Sequence, residues 1–229
     1  ANSVKHYEFV VAKPRNEFTE QALARLCQVH LKAKNYDSAL PVLKRLETEA
    51  DFPQNITYAQ SNLMKSYYEK QDFTNAVVYA DKVLKNDKID DRIKSDAQII
   101  VARSAIKTND EIKAKDAYAK LQKIAKGELA AEALYYDAYF KNKEGKFEPS
   151  NVVVQKIAQD YSGYKYYGAK SLVIMAKNFY GLKDSFQATY ILESVIENFK
   201  EYTDVIEEAQ KELDFIKGEE AKRNSSITN

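Results

Sequence analysis

Side chains able to do covalent or acid–base chemistry are scarce in this chain and poorly placed for it. Two histidines and one cysteine occur among 229 residues. His6 sits in a short segment ahead of Pro14. His30 falls on the apolar side of a helical pattern, where a packed, hydrogen-bonded imidazole is expected in place of a general base. Cys27 takes a small-residue packing position, and a buried thiol stays protonated and inert. The acids Asp90-Asp91 and Glu207-Glu208 are paired in sequence only. Successive residues leave a helix in different directions, so neither pair is placed to share a proton or a metal. The chain has no glycine-rich phosphate loop, HExxH, GxSxG, EF-hand loop or CxxC. Asn55-Ile56-Thr57 has the form of an N-glycosylation triplet, which carries no reactivity. The sequence therefore predicts no catalytic residue, no metal site and no cofactor, in a protein that is not an enzyme.

What the chain holds in quantity is groups for recognition. There are 17 Tyr and no Trp, with 35 basic residues against 34 acidic ones and a net charge of +1. That balance argues against nucleic acid as the main partner, which calls for a strongly basic domain. Tyr combines an apolar body with a polar tip and suits both half-buried seams and binding surfaces. No stretch of the sequence reaches the ~18 apolar residues of a membrane span. A single cysteine closes no internal disulfide and leaves the redox compartment unspecified. Only six Gly and four Pro interrupt the chain, a composition suited to long helices with short connections.

The elements that must position these groups are set by a period. Ala39, Ala76, Ala114, Ser150 and Ala188 follow one another at 37, 38, 36 and 38 residues. A second row, Cys27, Met64, Ala102, Ala138 and Ala176, runs twelve residues ahead, small except at Met64. A fixed period of this length means stacked supersecondary units, each burying its apolar face on its neighbours. Apolar periodicity predicts paired helices over 21–34 and 39–49, 59–70 and 74–86, 95–108 and 111–126, 130–142 and 149–161, and 169–180 and 185–199. Asx or Gly residues mark the turn inside each pair, where they tolerate left-handed backbone or cap the next helix. Val205, Ala209, Leu213 and Ile216 form one further amphipathic stripe, with Gly218 as its expected end.

This pattern resembles the tetratricopeptide repeat (TPR) family. In that family, small residues at repeat positions 8 and 20 let the two helices of a unit approach, as the two rows above would. Large apolar residues fill the seams, here Leu43, Ala80, Tyr118, Val154 and Leu192 at position 24, and Leu46, Val83, Leu121, Ile157 and Val195 at position 27. The chain departs from the family at Lys141, polar where an apolar residue is usual, in having no Gly at position 8, and in a period longer than the usual 34. The resemblance implies an all-α, right-handed superhelical solenoid of about five helix–turn–helix repeats with extra terminal helices, as a single domain over 1–229. Its repeats would be 20–53, 57–90, 95–128, 131–164 and 169–202, with a capping helix over 203–217 and a flexible tail over 218–229. Tyr7 to Val11 followed by Pro14 reads as the end of a preceding repeat, making 1–16 its tail. The long period and the links Phe52-Pro53 and Tyr161-Ser162-Gly163-Tyr164 look most like bacterial envelope members, of the BamD type or the Tol–Pal-associated periplasmic type. A periplasmic or outer-membrane-associated setting is thus favoured over a cytoplasmic one.

The resemblance also implies a site. Positions 2, 5, 9, 12 and 13 of each first helix face a concave groove. Here they supply Gln28, Lys32, Tyr58, Lys65, Tyr68, Arg103, Lys107, Tyr135, Tyr139, Lys143, Lys177 and Tyr180. Aromatic rings interleaved with cations suit a peptide or protein segment with acidic and apolar side chains. The chaperone-binding carboxylate clamp is not expected, because Ala24, Gln28, Asp96 and Ile100 stand at its positions and only Asn62 matches. The implied function is a non-catalytic protein–protein interaction scaffold. The alternatives are an architectural segment that self-associates through its ends, or an accessory module of an enzyme beyond this chain.

Overall fold

The computed structural model describes residues 2–227, so Ala1 and the last two residues of the expected 218–229 tail lie outside them. All regular structure among the described residues is helical. Twelve helices follow in order: α1 Asn2–Val11, α2 Thr19–Lys32, α3 Tyr36–Glu49, α4 Pro53–Glu69, α5 Phe73–Leu84, α6 Asp91–Lys107, α7 Glu111–Leu121, α8 Glu128–Lys143, α9 Phe147–Asp160, α10 Lys165–Gly181, α11 Ser185–Asn198 and α12 Thr203–Ile227. The chain forms two compact units, divided inside α7 between Ala117 and Tyr118. In the first, each helix from α1 to α6 packs on the next, and α4 also lies against α6. In the second, α8 to α12 do the same, with α8 against α10 and α10 against α12.

One turn recurs inside all five helix pairs. Lys34, Gln71, Asn109, Gly145 and Lys183 take left-handed backbone, with φ of 52°, 60°, 57°, 72° and 70°. The next residue returns its amide to the carbonyl five residues back: Asn35 to His30, Asp72 to Tyr67, Asp110 to Ala105, Lys146 to Lys141 and Asp184 to Phe179, at 2.8–2.9 Å. This is the Schellman closure of a helix. The same residue then opens the second helix. The Asn35, Asp72, Asp110 and Asp184 carboxamide or carboxylates accept from the amides of Ser38, Asn75, Lys113 and Gln187. Lys146 offers no such cap and is the exception.

Both small-residue rows are buried as the period requires. Cys27, Met64, Ala102, Ala138 and Ala176, and Ala39, Ala76, Ala114, Ser150 and Ala188, are all fully enclosed. Ser150 keeps its hydroxyl by using it. Its Oγ donates to the Ala138 carbonyl at 2.8 Å and accepts from Asn178 Nδ2 at 2.9 Å. Asn178 reaches Asn151 Oδ1 as well, and Asn142 Nδ2 donates to Asn178 Oδ1. The fourth pair is thus held by a satisfied polar network, not an apolar seam alone.

Two boundaries differ from expectation. α7 stops at Leu121, short of 126, and the link reaches Gly127 at φ 60°, ψ −134°. Only glycine adopts that conformation readily, and a Cβ there would meet the Tyr164 hydroxyl at 2.8 Å. α12 runs through Gly218, expected to end it, as far as Ile227. Ser185 Oγ holds Glu220 on this extension at 2.9 Å, and Lys222 pairs with Glu219.

Candidate partner-binding surfaces

Direct contact of α4 with α6, and of α8 with α10 and α10 with α12, makes the first helices of the pairs the shared inner layer of each unit. In the first unit, Gln28 and Lys32 lie exposed on α2, with Gln28 accepting from Arg25 at 3.1 Å. Tyr58 is half-buried on α4, and burial raises its phenol above the ordinary range. Lys65 Nζ reaches Asp96 Oδ2 of α6 at 2.5 Å. Tyr68 meets the edge of Phe73 with ring centroids 5.7 Å apart. The structure brings Lys65, Tyr68 and Arg103 together around one recess of about 180 Å3. Tyr68 and Lys107 share a neighbouring recess of about 290 Å3.

In the second unit the inner helices are cross-braced. Lys177 Nζ of α10 donates to Glu208 of α12 at 2.6 Å and stands 3.9 Å from Glu212. Tyr180 meets Phe215 edge-on at 5.8 Å. Lys143 lies over the Tyr139 ring at 5.7 Å. Tyr135 corrects the sequence reading: it is only 6% exposed and offers little to a partner. It is wedged against Tyr136, Tyr139 and Tyr167, and burial pushes its phenol well above the ordinary range. Lys170 covers it at 4.9 Å and also covers Tyr166 at 5.4 Å. Tyr166 donates to Asp204 of α12 at 2.7 Å, and burial followed by that bond raises its phenol too. Lys170, Tyr166, Asp204 and Phe215 were not among the residues singled out from sequence. The i, i+4 spacing of Tyr166 and Lys170 on the stripe that continues to Lys177 was the available signal.

The electrostatics of these faces also differ from expectation. Lys65 and Lys177 do not stand as open cations, because Asp96 and Glu208 answer them from the following inner helix. Both partners lie 31 residues on, so this brace is a property of the repeat. Of the chemically reactive groups, Cys27 is buried and burial pushes its thiol up to about 12, which leaves no thiolate at neutral pH. Among the described residues no three His, Cys, Asp or Glu side chains converge as a metal site. No helix among them is long and apolar enough to cross a membrane.

No protein-family model matches the sequence, and no curated protein is similar to it at a significant level. Solved structures do match the fold. A tetratricopeptide repeat protein from Parabacteroides merdae ATCC 43184 superposes with a TM-score of 0.70 at 15% identity, over 91% of this chain and 77% of that one. The MamA protein superposes with a TM-score of 0.62 at 14% identity, over 80% of this chain and 92% of that one. The fold is therefore all-α and of the TPR solenoid type.

Proposed function

We propose that this chain is a non-catalytic scaffold that holds a protein or peptide segment against the inner helices of its units. The observation that carries this reading is the inner face of the second unit. There, Tyr139, Lys143, Lys170, Tyr180 and Phe215 are accessible to different degrees yet fixed against one another across α8, α10 and α12. Aromatic groups already held in place lose little freedom on binding, which is how anchoring residues gain their weight. The TPR-type fold supports the same reading, since its stacked helix pairs present such faces. The cell-envelope setting belongs to this proposal and rests on the long period and the Tyr- and Pro-containing links alone. Fractionation of cells making the full-length protein checks it.

Site-specific photo-crosslinking tests the scaffold reading. A photoreactive residue in place of Tyr139 or Tyr180 is expected to capture a defined partner, whereas one in place of the exposed Val152 on α9 is not. Equal capture from all three sites, or none from the inner pair, would reject the inner face. Self-association is the competing reading, favoured by Phe9 on α1, which is 65% exposed. Light scattering separates the two, since self-association predicts a mass that rises with concentration and falls in a Phe9→Ser variant.

A further inference from the structure

The first unit has a larger opening beside the recesses described above. Where the link after α5 turns into α6, it stands off the start of α4 and leaves a cleft of about 670 Å3, a size typical of ligand sites. Half-buried Tyr58 and Ile93 give it an aromatic and apolar surface, with Ile89 and Met64 buried beneath. Two carboxylates also line it, and both are already engaged. Asp96 holds Lys65, and Asp90 caps α6 by accepting from the Ile93 amide at 2.8 Å. Two cations complete the rim. Lys88 and Arg92 are exposed, and neither side chain has an ion-pair partner among the described residues. Their sequence neighbours Asp87 and Asp91 do not line the cleft. The opening therefore presents apolar surface beside two cations that the fold leaves uncommitted.

We infer that this cleft receives a segment of a partner protein in which a carboxylate side chain adjoins a bulky apolar one. The carboxylate sits between Lys88 and Arg92, whose guanidinium can grip it through two parallel N–H groups. The apolar side chain rests on Tyr58 and Ile93. This deepens the scaffold reading and rests on it, and adds Lys88 of the link after α5 and Arg92 at the start of α6 to the inner-helix residue Tyr58. The apolar lining favours a peptide over a nucleic acid, whose backbone would ask for cations without an apolar floor.

A displayed library of random short peptides, selected on the full chain at low salt, tests the inference. Retained peptides should be enriched in Asp or Glu next to Leu, Ile or Phe. A Lys88→Ala, Arg92→Ala variant should lose about tenfold or more in retention, as should peptides with Asn or Gln in place of the acid. Tyr58→Ala should weaken retention at every salt concentration, whereas the cation variant should matter most at low salt. Unchanged circular dichroism controls for folding in each variant, and the cation pair is exposed enough to be removed without touching the core. Failure to enrich any peptide, enrichment of acid-free peptides, or retention unaffected by the cation variant would each overturn the inference. Crosslinking at Tyr139 and Tyr180 does not involve this cleft, so the scaffold reading stands or falls separately.

Discussion

Lys34, Gln71, Asn109 and Lys183 carry side chains where the turn needs left-handed backbone, and only Gly145 meets the need without a Cβ. A Cβ in that region costs on the order of 1 kcal/mol, which Asn evades in part and Gln or Lys does not. Gln71→Gly and Lys183→Gly should each raise stability by about 0.5–1 kcal/mol, and Gly145→Ala should lower it by a similar amount, all read from urea midpoints. Glu20 holds a different joint. Its carboxylate accepts from the amides of Asp51 and Phe52 and from Asn55 Nδ2, at 3.0, 3.3 and 2.6 Å, and so pins the start of α4 to α2. Burial opposes its ionisation, but the donors outweigh it, and its carboxyl lies below the ordinary 4.5. A carboxyl depressed in the folded state contributes fully above its unfolded value and loses that contribution as pH falls through the folded one. Glu20→Ala should therefore cost about 1 kcal/mol at neutral pH. In thermal melts its gap from the unaltered protein should narrow as the pH drops below 4.5. A gap that stays constant into strong acid would show that the charge plays no part.

At the scale of the helix pair, Ala114 and Ala188 are fully enclosed at the repeat position where the two helices meet. Ala114→Leu or Ala188→Leu should overpack the seam and cost ~1–3 kcal/mol, and unchanged thermal midpoints would show room that the burial denies. These alanines were legible because burial and spacing act locally: a small residue recurs every 36 to 38 positions, and an Asx residue caps the second helix in four of the five pairs. The same locality explains what could not be read. α7 ends early, and the link after it enters α8 through Gly127, whose backbone no helical pattern announces, under a tyrosine 37 positions away. α12 passes Gly218 because a glycine inside a helix costs only about 1 kcal/mol, which packing and the contacts of Glu220 can offset. On the candidate surface, Lys65, Tyr68 and Arg103 share one recess in the structure, and the repeat positions gave no hint that Asp96 and Glu208 would answer Lys65 and Lys177 from the next inner helix. Tyr135 misled for a related reason. A tyrosine at an inward position is accessible only if its neighbours are small, and this one is crowded by three other tyrosines.

Across the whole chain, stability in a repeat fold is close to a sum of neighbouring interfaces, so damage at one seam should open its own surroundings first. Hydrogen exchange on Ala188→Leu should lose protection in α10, α11 and α12 while α2 to α5 keep theirs. Uniform loss along the chain would mean a single cooperative block. The first unit carries its own reporter of such opening. Cys27 is the sole thiol of the chain, wholly enclosed between α2 and its neighbours and protonated where it lies. An alkylating reagent can reach it only after that unit has opened, and an opened thiol regains its ordinary reactivity. The rate at which the unaltered protein gains one alkyl group thus times the opening of its first unit directly, with no label to introduce and no second cysteine to subtract. In the Gln71→Gly variant that clock should run slower, and in Glu20→Ala faster.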